Sequence, residues 1–309
     1  MEIVKLIPAY KDNLWGGTKL KTDWNKQTDL PIVAESWELS CHDAGLSVIA
    51  NGANAGKSLK EILTPETLGS TASSFAFFPV LIKLIDAKEN LSVQVHPSDE
   101  YALAKEGEYG KTEMWYVVDC EEGAGLYCGF QKDISKEEFS ARIADNTLLD
   151  VLQFFQVKKG DCFFIPSGTI HAIGAGVTIC EIQQNSNLTY RVYDYGRIDK
   201  KTGKGRDLHV EKAKLVSDLT VYKDKIVPKR EGELDLLARC RYFTVHYKNL
   251  NGKCELSADQ RSFRALTFLS GAGKIGDLSY QKGDTFFIPA GYGAFVVEGV
   301  GEFITTIVE

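Results

Sequence analysis

The chain has 309 residues, 44% of them apolar and 25% charged, with a net charge of −6. That length supports a sizeable core and about two domains. An acidic balance with no basic stripe excludes a nucleic-acid surface. No apolar run approaches the ~18–20 residues of a membrane span, and the start Met1-Glu2-Ile3-Val4-Lys5 lacks the apolar stretch of a signal peptide.

In chain order, residues 1–50 read as short strands and turns. Leu14-Trp15-Gly16-Gly17 is a turn behind an aromatic, and residues 34–40 alternate as a strand with one exposed face does. Residues 58–63 read as a short helix with Ser58 as N-cap and Glu61 three residues on. The apolar run 77–85 carries one charge, Lys83, which is either the head of an edge strand reaching water or a charge in a pocket. Residues 97–106 read as a helix with a proline at its start and carboxylates in its first turn. Residues 135–144 and 147–155 read together as an amphipathic helical insertion. Strands resume at 161–166 and 177–183, and a helix follows at 207–215, after the polar loop 199–205. The remainder is strand-like, at 243–247, 263–269, 285–289, 294–298 and 302–308.

An internal repeat organises these elements. Gly160-Asp161-Cys162-Phe163-Phe164-Ile165-Pro166-Ser167-Gly168 recurs as Gly283-Asp284-Thr285-Phe286-Phe287-Ile288-Pro289-Ala290-Gly291. A Gly-Asp turn feeds a short buried strand, and a Pro and Gly end it. Each copy follows another β run that ends in glycines. This is the build of a β-sandwich of jelly-roll type, written twice.

The chemistry concentrates in the first copy. In Leu91-Ser92-Val93-Gln94-Val95-His96-Pro97 the spacing puts Gln94 and His96 on one face of a strand. Glu113 heads the strand-like run 114–118, and His171 follows the first repeat motif. Two imidazoles, a carboxylate and an amide oxygen suit zinc at about 2.0–2.2 Å, with a position left open for substrate or water. A neutral glutamine ligand leaves the metal a stronger Lewis acid than a second carboxylate would. The alternative is that these are structural histidines of the strands. The second repeat copy has Ala294 where the first has His171, and it holds nothing like Gln94-x-His96, so one barrel is expected to carry the metal and the other to be structural.

Glu181 stands among apolar neighbours in 178–183, and a carboxylate facing a barrel interior is costly unless it is paired or protonated. The other reading is a rim salt bridge. Arg191 follows a polar loop and is able to enter the same cavity. With Lys83 and Lys111 it makes an anion site, although each cation taken singly fits a solvated surface better. The seven cysteines (41, 120, 128, 162, 180, 240 and 254) contain no C-x-x-C pair and are expected as reduced thiols in a cytoplasm.

Over essentially its whole length the chain resembles the short bacterial form of the type I mannose-6-phosphate isomerases (phosphomannose isomerases). The resemblance rests on an ordered set: Leu14-Trp15-Gly16-Gly17, Glu35-Ser36-Trp37-Glu38, Lys83, residues 91–97, Lys111-Thr112-Glu113, Pro166-Ser167-Gly168-Thr169-Ile170-His171-Ala172, and 181–191. It implies a mainly β fold of two cupin-type jelly-roll sandwiches with a small helical insertion near 131–157. The metal-binding domain would span 1–225 and a degenerate cupin domain 226–309. It implies one Zn2+ per chain, held by Gln94, His96, Glu113 and His171. It also implies interconversion of mannose 6-phosphate and fructose 6-phosphate, with Ser92, Lys83 and Arg191 near the phosphate, Arg191 also close to the reacting carbons, and Lys111 and Glu181 by the sugar. Longer family members carry an aromatic where Ile173 stands and a large extra helical domain.

An aldose–ketose isomerase moves a proton between C2 and C1 through an enediol. That requires polarisation of an oxygen, which zinc supplies, and a positioned base, for which Glu181 and Lys111 are the candidates. The sole expected partner is a small sugar phosphate, with no nucleic acid or membrane, and the chain is expected to be a monomer or homodimer. The rival readings are an iron-dependent cupin oxygenase, a non-catalytic sugar-phosphate-binding cupin, and an isomerase of another sugar phosphate.

Overall fold

A computed structural model describes residues 2–198, 202–223 and 225–309. Among these residues three sheets form stacked layers. A five-stranded sheet runs Tyr190–Tyr193, Val93–Val95, His171–Ile173, Gly125–Phe130 and Leu152–Gln156. It faces a six-stranded sheet of Cys162–Ile165, Glu113–Cys120, Val177–Gln184, Val80–Ala87, Glu35–Leu39 and Ala9–Lys11. Leu91, Trp115, Val117, Leu126, Phe163, Ile173 and Ile179 fill the space between them. The rear of the six-stranded sheet presents Ile82, Leu84, Met114, Tyr116 and Ile182 to Phe243, Val245, Phe263, Phe287 and Ile304 of the C-terminal sheet. Buried on both faces, its strands lose the solvent side that an alternating pattern suggests. Every residue of Val80–Ala87 is buried, and so is all of Glu35–Leu39 except Glu35, which is half-buried. A charge-assisted cluster ties the layers together: Lys26 lies 2.6 Å from Glu38 and donates to the Gly283 carbonyl, and Thr285 donates to Glu38.

The C-terminal sheet is built on two 15-residue strands, Thr244–Ala258 and Gly293–Ile307, paired antiparallel along their whole length. The sequence divides the second into two runs because Gly299 and Gly301 interrupt its side-chain pattern. Both glycines take positive φ, and the backbone pairing runs through them unbroken. Its core is aromatic, with Phe268 stacked on Tyr280 at 3.6 Å. The N-terminal strand Val4–Ile7 pairs with Thr285–Ile288 of this sheet. The repeat motif is a structural repeat: Cys162–Ile165 pairs antiparallel with Glu113–Cys120, and Thr285–Ile288 pairs in the same sense with Arg264–Phe268.

Helices are short. Leu59–Ile62 has the expected cap, with Glu61 accepting the Ser58 N–H at 2.7 Å. Asp99–Lys105 begins after the Ser98 cap, so Pro97 lies outside it. Lys136–Ala144 and Val210–Val216 complete the pieces near the barrel. The expected helix over 147–155 is not one. After a 3-10 turn at Leu148–Val151 the chain becomes the edge strand Leu152–Gln156, because Gly125, Leu126 and Tyr127 offer a free ladder and the Leu-Gln-Phe alternation fits a strand. Among the described residues no helix is long and apolar enough to cross a membrane.

Candidate active site

Strand register assembles the site, since residues directly opposite in an antiparallel pair share a face. On the five-stranded sheet His171 is opposite Gln94, and Gln94 is opposite Arg191. On the six-stranded sheet Trp115 is opposite Glu181, Glu181 is opposite Lys83, and Lys83 is opposite Trp37. Glu113 pairs with Gln183 two residues along. His171, Gln94 and Arg191 from one sheet, and Trp115, Glu181 and Lys83 from the other, line a cavity of about 310 Å³.

At its floor His96, Glu113 and His171 bring their ligand atoms within 4.8 Å of one another. The Nδ1 of His96 lies 2.7 Å from the Leu188 carbonyl, and that of His171 lies 2.9 Å from the Thr169 carbonyl. A carbonyl accepts only from N–H, so both protons sit on Nδ1 and both Nε2 lone pairs point inward. Those Nε2 atoms stand 3.6 and 3.5 Å from the Glu113 carboxylate. Burial holds the His96 imidazole well below its ordinary pKa and pushes that of His171 down to about 4, which keeps both rings neutral. Glu113 is fully buried, and neither of its oxygens accepts a hydrogen bond. The Lys111 ammonium lies 3.0 Å from one of them, without hydrogen-bond alignment. Gln94 borders the cluster, with its amide nitrogen 3.4 Å from His171 Nε2 and its amide oxygen accepting the Ser92 hydroxyl at 3.3 Å. Two neutral nitrogens and a buried carboxylate that accepts no hydrogen bond fit a divalent cation, which would supply direct ligand bonds that the ion pair with Lys111 does not.

Local chemistry holds this floor in place. Gly168 has φ +92°, which lets the turn after Ile165 fold back so that its N–H donates to the His96 carbonyl at 2.8 Å. A Cβ on Gly110 would lie 2.5 Å from the backbone of Ser98 and Asp99, so only glycine lets Lys111 enter beside His96.

Beside the floor the charges alternate. Lys111 Nζ stands 3.0 Å from Glu113 and 3.9 Å from Glu181; Lys83 Nζ stands 3.4 Å from Glu181 and 3.3 Å from Glu35. Trp115 donates its indole N–H to Glu181 at 3.1 Å. The two inner carboxylates are driven apart. Burial, and then Glu181, raise the Glu113 carboxyl. Burial also pushes Glu181 upward, but Lys111, Lys83 and the Trp115 N–H outweigh it and leave Glu181 below the ordinary value. Lys83 is 4% exposed, yet Glu35, Glu181 and Glu113 more than offset its desolvation and hold its pKa up. It lies in a central strand between Glu35–Leu39 and Val177–Gln184, so the pocket reading of Lys83 is the correct one and the edge reading is not. Lys111 is likewise buried rather than a solvated surface charge.

On the opposite wall Arg191 donates Nε–H to the Ser92 hydroxyl at 3.1 Å and Nη1–H to the Asp207 carbonyl at 3.0 Å. All nine residues singled out in the sequence therefore converge: Gln94, Lys111, His171, Glu181, Arg191, Ser92 and Lys83 line the cavity, and His96 and Glu113 lie against its floor. The lining also includes Asn13, Glu35, Asn187, Thr189 and Arg206, which sequence reasoning did not single out as site residues. Glu35 stood in a quoted motif. Arg206 is placed by Asp194, whose carboxylate accepts its guanidinium at 2.9 and 2.6 Å, a contact with no sequence signal.

Comparison with known proteins identifies the family of the chain. Residues 3–123 match the model of the phosphomannose isomerase type I catalytic domain, and residues 232–308 match that of the mannose-6-phosphate isomerase cupin domain. Mannose-6-phosphate isomerase ManA of Bacillus subtilis is 38% identical over 308 residues, 97% of this chain and 96% of the relative. Mannose-6-phosphate isomerase of Streptococcus mutans is 36% identical over 95% of this chain and 94% of its own. The crystal structure of the Bacillus subtilis mannose 6-phosphate isomerase superposes with a TM-score of 0.88 at 34% identity, covering 99% of both chains. With its two jelly-roll sandwiches and its buried His-Glu-His cluster, the chain belongs to the type I mannose-6-phosphate isomerase family.

Proposed function

We propose that the chain interconverts mannose 6-phosphate and fructose 6-phosphate in the cytoplasm as a zinc-dependent aldose–ketose isomerase working through an enediol. The observation that carries the zinc reading is the buried Glu113 carboxylate, which accepts no hydrogen bond and is faced by two imidazole lone pairs whose tautomers are locked from behind. Such a donor set suits zinc; Gln94 would join it through its amide oxygen after a turn of the amide, whose nitrogen faces His171 in this structure. Zinc held there would supply Lewis-acid polarisation of a substrate oxygen and charge stabilisation.

The protein groups supply the rest. One member of the Lys111–Glu181 couple, 3.9 Å apart, takes the C2 proton. As the C2–H bond breaks, its electron pair forms the C1=C2 double bond and the carbonyl oxygen gains a proton, giving the enediol. The reverse sequence at C1 completes the transfer. Ser92 and Arg191 give the far wall a hydroxyl and a cation for the phosphate, with Lys83 facing them, and binding there positions the reacting carbons. The seven cysteines are free, in keeping with a reducing compartment.

Arg191→Ala tests the substrate end. It should retain one metal per chain while kcat/KM falls by about 10²–10³-fold, the range for removing one preorganised donor. Metal analysis with steady-state kinetics checks this; unchanged kinetics would remove Arg191 from the mechanism.

A further inference from the structure

We infer that Glu35 is a positioning residue of the active site, acting through Lys83 on Glu181. The inference rests on the isomerase reading above. Glu35 is held rigidly from its own sheet. Its Oε1 accepts the Asn13 amide N–H at 2.7 Å, and its Oε2 accepts the Trp37 indole N–H at 2.7 Å. Both donors are neutral, and the Lys83 ammonium lies 3.3 Å from Oε2. Lys83 is thereby suspended between two anions at nearly equal distance, 3.3 Å to Glu35 and 3.4 Å to Glu181, with its Nζ 4.9 Å from the centre of the Trp37 ring.

That balance matters because of what Glu181 is asked to do. Its Oε1 is buried and accepts no hydrogen bond, although two ammonium groups stand near it. A direct charged hydrogen bond from Lys83 would close to about 2.7–2.9 Å and tie up that oxygen. Glu35 pulls the ammonium back and leaves Oε1 bare. Without the Glu35 charge, Lys83 has one anion left in contact and moves onto Glu181. The oxygen that should exchange protons with Lys111 or substrate is then occupied. Glu35 itself need not touch the reacting carbons; its effect passes entirely through the lysine.

The test is a double-mutant cycle with Glu35→Gln and Lys83→Met, read in steady state with mannose 6-phosphate, together with a crystal structure of the Glu35→Gln protein. Glutamine keeps the size and polarity of residue 35 and removes only its charge. Glu35→Gln should lower kcat at least about tenfold with KM changed less than about threefold. In the Lys83→Met background the same substitution should have no further effect, because contacting residues that act as a unit are not additive. The crystal structure should show Lys83 Nζ hydrogen-bonded to Glu181 Oε1. Additive effects, a change confined to KM, or a lysine that has not moved would overturn the inference. Failure of the wild-type protein to turn over would contradict the isomerase reading instead, and the crystal structure would still decide the role of Glu35.

Discussion

Replacing His171 by alanine is expected to strip the metal and lower turnover by at least about 10³-fold while the protein stays folded. The loss of activity follows from the several kcal/mol that a bound divalent ion contributes to a developing oxyanion, with each 1.36 kcal/mol worth tenfold in rate. The loss of metal follows from the geometry. The His171 ring is 1% exposed, its Nδ1–H is spent on the Thr169 carbonyl, and its Nε2 has Glu113 and Gln94 as its near polar neighbours. Removing it leaves the Glu113 carboxylate with one imidazole. The fold should survive because the strand His171–Ile173 is held by backbone pairing to Gln94 and to 126–128, and because the second repeat carries Ala294 at the matching position. Metal content by mass spectrometry and far-ultraviolet circular dichroism on the same sample check both halves. A His171→Ala protein that keeps its metal and its turnover would show that the centre lies elsewhere.

Lys111→Met should be the second severe substitution, lowering kcat by about 10²–10⁴-fold with the metal retained, the range for removing a group that moves or stabilises a proton in the transition state. Among the described residues Lys111 is the cation that joins the proposed metal floor to Glu181, 3.1 Å from His96 Nε2, 3.0 Å from Glu113 and 3.9 Å from Glu181. It is not itself a metal ligand, so the His-Glu-His cluster is left complete. Its removal takes from Glu181 the cation that does most to lower its pKa. Exchange of the C2 hydrogen with deuterated solvent gives a separate readout from net turnover and should fall with it. Activity within tenfold of wild type would take Lys111 out of the mechanism.

Much of this site is legible in the chain because its proposed ligands sit where two local rules meet. Gln94 and His96 are two residues apart in a strand, and His171 follows a motif whose turn glycines and buried strand are repeated with an alanine in place of the histidine. Period-two alternation and turn chemistry are local, so they survive in one dimension. Lys83 is the opposite case. Its environment depends on Glu35, 48 positions before it, and on Glu181, 98 after it, and a lone lysine in an apolar run carries no sign of either partner. Glu35 was visible as part of a motif but not as a site residue, since its meaning lies in the lysine it holds. The strand Leu152–Gln156 was misread for a related reason: alternation over five residues beside a helix mimics its amphipathic face until the unpaired edge at 125–127 supplies a partner. The burial of the six-stranded sheet on both sides was hidden as well, because it depends on the second jelly roll packing behind it.

The most direct test of the metal-dependent isomerase is a coupled assay of mannose 6-phosphate to fructose 6-phosphate on the full chain. It would be run as purified, after exhaustive chelation, and after adding back zinc, with metal content measured at each stage. Activity that disappears with the metal and returns at one zinc per chain is the predicted result. Full turnover by the metal-free protein would contradict the zinc centre, and no turnover in any metal state would contradict the substrate.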